Sequence, residues 1–218
     1  MRISTIALSI ICAATISVSV NAAVHTEETK DLNLNLKYPV CELKNKTAQN
    51  KINADIGELI TSLKDKYYAG KLYKASTKYD ITYEDDDILS LEIEVDNTAN
   101  PTAVHGYCYR NGYTYNQHTG DRIPVENYLN IKDVDQLMYG IYGNVVKVIN
   151  HNGTRLYASN LWKPLHVTDN YVLLGCGKVA LIYKPYEISQ YGNGHIYVIF
   201  DPAAIDYYNR LNNYHGDY

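Results

Sequence analysis

A chain of 218 residues is long enough for one or two domains and for a sizeable hydrophobic core. Its net charge of -4, from 20 Lys and Arg against 24 Asp and Glu, argues against a nucleic acid or an anionic membrane as partner, since both require a basic surface. A basic partner is compatible with that balance.

Residues 1–22 read as an export signal. Arg2 supplies the positive start, Ile6 to Val20 is an apolar run broken by Ser and Thr, and Val20, Asn21 and Ala22 lead to a cleavage point. The run is short against the roughly 20 residues of a membrane span, so a cleaved leader fits better than a retained anchor. Cys12 follows two isoleucines, a poor setting for lipoprotein acylation. No other stretch is long and apolar enough to cross a membrane, so the mature chain is expected from about Ala23, extracytoplasmic, either periplasmic or secreted.

Residues 23–36 are polar and read as a flexible lead-in to a first strand at 36–43, with the domain proper at 37–202. The period then changes. Ile52, Ile56, Leu59, Ile60 and Leu63 mark one face of an amphipathic helix over 46–64, with Asn45 or Thr47 as its N-cap. Gly57 within it costs about 1 kcal/mol relative to Ala, which implies close packing on a sheet.

Strands are expected near 72–83 and 88–95, joined by the acidic turn Glu84 to Asp87. In the second, Leu89, Leu91, Ile93 and Val95 alternate with Ser90, Glu92 and Glu94, the period of a sheet with one core face and one wet face. A loop over 96–102 leads to a strand over 105–117, and Thr119-Gly120-Asp121 turns the chain into a short strand at 122–125. Val134, Leu137, Met138, Ile141, Val145 and Val148 then predict a second helix over 133–149, closed by Asn150, Asn152 and Gly153. A strand is expected at 171–174. Residues 203–218 form a tail in which Ala204, Ile205, Tyr208 and Leu211 suit a short helix. These elements predict an α+β fold, with two main amphipathic helices packed on an antiparallel sheet.

The most informative stretch is GCGKVALIYKPYEISQYGNGHIYVIFDP, residues 175–202. It predicts a hairpin with strands at 178–184 and 195–200 and a decorated tip. Pro185 fixes its own φ, while Gly192 and Gly194 permit φ > 0, so the tip can present Tyr186, Glu187 and Tyr191 rigidly. Two phenols and a carboxylate, with no nucleophile beside a base, suit recognition better than catalysis.

The chain has 23 Tyr against 1 Phe and 1 Trp. Tyr107, Tyr109, Tyr113 and Tyr115 share a parity on one strand, and Tyr183, Tyr186, Tyr191 and Tyr197 cluster on the hairpin. Strand packing and a recognition surface both explain this usage. Three cysteines follow the leader, Cys41, Cys108 and Cys176, which allows at most one internal disulfide; free thiols are the favoured reading. Without CxxC, HxH or HExxH, no metal site is expected from spacing, and a zinc site would have to assemble from distant segments. His105, where a loop enters a strand, either fixes that strand's start or contacts a ligand. The acidic turn lacks EF-hand spacing and reads as solvated, and Glu92 and Glu94 read as the wet side of their sheet. No GxSxG, glycine-rich phosphate loop or Cys–His arrangement is present, so neither an enzyme nor a cofactor is expected.

The run YDITYEDDDILSLEIEVDNTANPTAVHGYCYRNGYTYNQHTGDRIPVENYL resembles the paired motifs of the extracytoplasmic domain found in the RsiV anti-sigma factor and beside the catalytic domain of the PdaC peptidoglycan deacetylase. Ser90-Leu91, Ala103-Val104-His105-Gly106 and Thr119-Gly120-Asp121 stand where that family has a Ser-Leu strand end, a Gly-Gly-Ala-His-Gly-like loop and a Thr-Gly-Lys turn. Pro185, Tyr186, Glu187, Ile188, Tyr191, Gly192 and Gly194 match its Pro-Tyr-Glu-Ile, Tyr and Gly hairpin, and YPVCELKNKTAQNKIN is similar to its opening strand and helix. The resemblance spans 36–202. It departs at Thr102-Ala103-Val104, where paired glycines are common, and it includes neither a sigma-binding segment nor a deacetylase metal motif.

The resemblance implies a non-catalytic envelope module that binds a lysozyme-like protein or a cell-wall glycan. The residues implied in binding are Pro185, Tyr186, Glu187, Tyr191, Gly192, Gly194 and His105. The alternative is a glycan- or peptidoglycan-active enzyme, or an accessory domain of one.

Overall fold

The computed structural model describes residues 23–103 and 105–213; the leader reading on residues 1–22 and the last five residues of the expected tail lie outside the described residues. The strand periods of the sequence fold into two five-stranded sheets, not one. The first contains β1 (Ala23–Asp31), β2 (Leu34–Glu42), β3 (Lys74–Glu84), β4 (Ile88–Thr98) and β5 (Tyr107–Asn116), side by side in that order. Helix α1 (Lys46–Tyr68) links β2 to β3, supplying the crossover that their parallel pairing needs; the other neighbours are antiparallel. The second sheet is antiparallel throughout, in the order β7 (Arg155–Leu156), β6 (Lys147–Asn150), β10 (Ile196–Phe200), β9 (Lys178–Tyr183), β8 (Tyr171–Leu174). Helices α2 (Val134–Tyr142) and α3 (Pro202–Asn213) complete an α+β fold. Among the described residues, no helix is long and apolar enough to cross a membrane.

α1 begins where Asn45 accepts hydrogen bonds from the amides of Thr47 and Ala48. It buries Ala48, Ile52, Ile56, Ile60 and Leu63. Ile52, Ile56, Ile60 and Leu63 meet the odd-numbered side chains of β4 and β5: Leu89, Leu91, Ile93 and Val95 with Tyr113 and Tyr115. Gly57 is not a packing glycine, because a Cβ there would meet nothing within 4 Å. The second core joins Leu137, Met138 and Ile141 of α2 to Val179, Leu181, Tyr183, Val198 and Phe200, closed by Ala204 and Tyr208 of α3.

Three further expectations about the elements are corrected. Residues 23–36 are not a flexible lead-in: β1 pairs with β2 from Ala23–Glu42 to Asp31–Leu34. β1 carries charge on both faces and lies at the sheet edge, where such charge discourages pairing with another chain and also hides the strand's period. The second helix stops at Tyr142, with Gly143 as its C-cap and Asn144 at φ 55. Val146 and Val148 are buried at strand spacing instead, while Val145 is 41% exposed.

The even-numbered face of β4 is not wet either. The second sheet docks on it: the Leu173 amide donates to Ser90 Oγ at 2.9 Å, and Glu92 is only 6% exposed. The sheets approach closely at Gly112 of β5, where a Cβ would stand 2.0 Å from the Tyr171 carbonyl oxygen. Gly112→Ala therefore forces a methyl against the Tyr171 backbone and is expected to cost about 3 kcal/mol, read as a lower urea midpoint. A variant as stable as the parent would show that the sheets are not pressed together there.

Candidate partner-binding face

The expected hairpin forms, with Ile196 opposite Tyr183 and Phe200 opposite Val179. Residues 184–195 lie between the strands. Pro185 and Ile188 turn inward and are buried, and the Ile188 carbonyl accepts from the Trp162 amide at 3.0 Å. Glu187 is fastened rather than displayed. Its carboxylate accepts from the Lys184 amide at 2.7 Å, and its own amide donates to the Lys184 carbonyl at 3.1 Å.

Tyr186, between these anchors, is 60% exposed and sits at φ 71. A left-handed backbone is uncommon for a residue with a large side chain and costs about 1–2 kcal/mol. Its ring stacks on Tyr191 at 5.4 Å, and Tyr191 in turn lies 4.9 Å from the His105 ring. Tyr191 is half-buried, and its hydroxyl donates to the Gly106 carbonyl, which ties the tip to the start of β5. His105 is exposed. Tyr107 and Tyr109 extend the aromatic surface along β5 with ring centres 5.3 Å apart, and the Lys184 ammonium lies 5.2 Å from the Tyr109 ring centre.

The two glycines differ. Gly194 adopts φ 64, and a Cβ on it would lie 2.4 Å from His151 Nδ1. That nitrogen donates to the Asn193 carbonyl at 2.8 Å, so Gly194 makes room for the tie. Gly192 has neither a positive φ nor a close neighbour, contrary to the expectation for it. Of the residues singled out in the sequence, Tyr186, Tyr191 and His105 thus share one aromatic face. Pro185, Glu187 and Gly194 shape the loop behind it, and Gly192 is exposed without such a role.

Beneath this face runs a polar seam between the sheets. Arg110 contacts Glu92 and Glu94 of the neighbouring strand, its Nη1 donates to Tyr197 Oη at 3.0 Å, and Tyr197 donates to Glu92 at 2.7 Å. The Glu94–Arg110 cross-strand pair of β4 and β5 carries the seam, a pairing invisible until the register is known. His195, 2% exposed, sits beside it, and burial, assisted by Arg110, His151 and Lys78, pushes its pKa down from 6.5 to about 3. A base whose folded pKa is depressed takes up its proton more readily when unfolded. Stability is therefore full above about pH 6.5 and falls by up to roughly 1.4 kcal/mol per unit as the pH drops toward 3. Urea titrations of the parent and His195→Gln across that window test this, the variant being expected to show a shallower acid slope.

Cys41, Cys108 and Cys176 are free thiols, respectively buried, half-buried and exposed. The acidic turn is locally structured, with Asp85 Oδ1 accepting from the amides of Asp87 and Ile88. The tyrosines divide by exposure. Tyr113, Tyr115, Tyr171, Tyr183 and Tyr208 are core, whereas Tyr107 and Tyr186 are surface.

No protein-family model matches the chain, and no curated protein matches it either. Solved structures do. A DUF3298 family member from Bacteroides fragilis aligns with TM-score 0.56 at 11% identity, covering 88% of this chain and 94% of its own. A DUF3298 family protein from Pseudomonas aeruginosa PAO1 aligns with TM-score 0.53 at 9% identity, covering 85% and 91%. At such identities the likeness is one of fold, and it extends over nearly the whole described chain.

Proposed function

We propose that this chain is a non-catalytic extracytoplasmic binding module whose partner is a basic, groove-bearing protein of the lysozyme kind, engaged through the Tyr186, Tyr191 and His105 face. The observation that carries the reading is Tyr186 itself: a large aromatic held exposed in a strained backbone conformation by anchored neighbours on both sides. Strain of this kind persists where surrounding structure over-determines it, and it clusters at ligand-contacting sites. A projecting aromatic loop on a rigid hairpin fits a concave protein surface, as long binding loops do elsewhere. The DUF3298 fold likeness and the motif resemblance to the RsiV and PdaC extracytoplasmic domain support a module of this class. The net charge of -4 suits a basic partner.

The test is a titration of residues 23–218 against lysozyme and, separately, against peptidoglycan sacculi. Saturable binding to lysozyme that weakens as salt rises is the expected result. Binding to sacculi alone would replace the protein partner with a glycan, and turnover of peptidoglycan would overturn the non-catalytic reading.

A further inference from the structure

Three donors that are scattered in the sequence meet at the foot of the aromatic tip. Glu94 and Cys108 project from the same face of β4 and β5, where Asp96 pairs with Cys108 and Glu94 with Arg110; His195 immediately precedes β10. One ligand atom from each, a carboxylate oxygen, the thiol sulfur and a ring nitrogen, lies within 4.8 Å of the other two. The cluster also contains an unmet need. His195 Nε2 is buried without a hydrogen-bond partner, in a ring only 2% exposed. Burying a polar nitrogen in this way costs free energy unless a partner arrives.

We propose that Glu94, Cys108 and His195 bind a divalent transition-metal ion of the zinc class, leaving one coordination position for water or a partner's side chain. Thiolate, imidazole and carboxylate together match zinc, whereas magnesium and calcium take oxygen donors. Bond lengths of about 2.0–2.3 Å bring donors to about 3.5 Å of one another, so closure requires side-chain movements on the order of 1 Å. On binding, the Cys108 S–H bond breaks, the proton leaves to solvent, and the sulfur lone pair goes to the metal.

The surroundings are compatible with this. Arg110 holds Glu94 Oε2, through Nε at 3.0 Å, and so orients the carboxylate as an outer-shell partner does. Glu94 Oε1 faces Lys78 Nζ at 3.0 Å, and the Lys78 side chain is 61% exposed, free to swing into solvent when the ion takes its place. The ion would join β4 and β5 of one sheet to the residue just before β10 in the other. Spacing within the sequence could not reveal this site, because each donor comes from a different segment. The proposal stands independently of the partner reading.

Residues 23–218 titrated with Co(II) alone should bind one equivalent and develop a sulfur-to-cobalt charge-transfer band that Zn(II) abolishes. Cys108→Ser should remove the band and weaken Zn(II) binding by more than about 100-fold, while Cys176→Ser leaves both unchanged. Glu94→Gln should weaken binding with the band retained at saturation. Lys78→Met, which removes the competitor for Oε1, should tighten it several-fold. Circular dichroism of each variant establishes that it is folded. Absence of a stoichiometric site in the parent, a band that survives Cys108→Ser, or equal Zn(II) affinity in parent and folded Cys108→Ser would overturn the proposal.

Discussion

Arg110→Ala is expected to destabilise the domain by about 3–5 kcal/mol, the largest effect of any single substitution considered. The Arg110 and Glu92 side chains are 15% and 7% exposed, so removing the guanidinium leaves a carboxylate buried without its counter-ion. Glu94 and Tyr197 also lose a partner. The seam is costly to break but not intrinsically favourable, since two desolvated charges gain little over apolar groups of the same shape. The double variant Arg110→Met, Glu92→Leu should therefore recover most of the loss. Urea denaturation of the three proteins measures both quantities. A single-variant cost under about 1 kcal/mol would mean that the seam is hydrated and that the second sheet does not seal it.

Tyr186→Gly should have the opposite profile. Glycine adopts φ 71 without steric cost, so stability should hold or rise by about 1 kcal/mol, while the loss of an interface anchor weakens partner binding by about 2 kcal/mol, roughly 30-fold. Tyr191→Ala separates an anchor from a packing residue. Its hydroxyl ties the tip to Gly106, and its ring lies between Tyr186 and His105. That variant should lose about 1–2 kcal/mol of stability before any effect on binding is counted. Melting temperature and titration calorimetry on the same samples decide this. A Tyr186→Gly protein that binds normally would leave the tip as architecture.

The sequence revealed those elements whose two faces differ chemically. α1 and β4 carry a clean period and appear where it places them, whereas the β9–β10 hairpin, apolar on both faces, was marked by the turn residues between its two apolar runs. β1 was hidden because neither of its faces is apolar. The α2 boundary slipped because Val145 and Val148 continue a helical spacing, and only the Gly143 cap and the turn at Asn144 end the helix in space. Ser90, Glu92 and Glu94 read as solvent-facing because a second sheet covers them only after the chain has folded. The same holds for the candidate site. Local motif chemistry revealed Tyr186 and Tyr191, whereas the roles of Arg110, Tyr197 and His195 depend on contacts between residues far apart in the chain. His195 was adjacent to a residue already singled out, Gly194, and its place between a turn and an apolar strand was the one local signal of burial.

Amide hydrogen exchange of residues 23–218, with and without saturating lysozyme, locates the contact directly. The aromatic-face reading predicts new protection confined to residues 184–194 and 105–109. Protection that appears instead on the surface formed by Tyr139, Tyr142, Tyr207 and Leu211 of α2 and α3, with the tip unchanged, would contradict it.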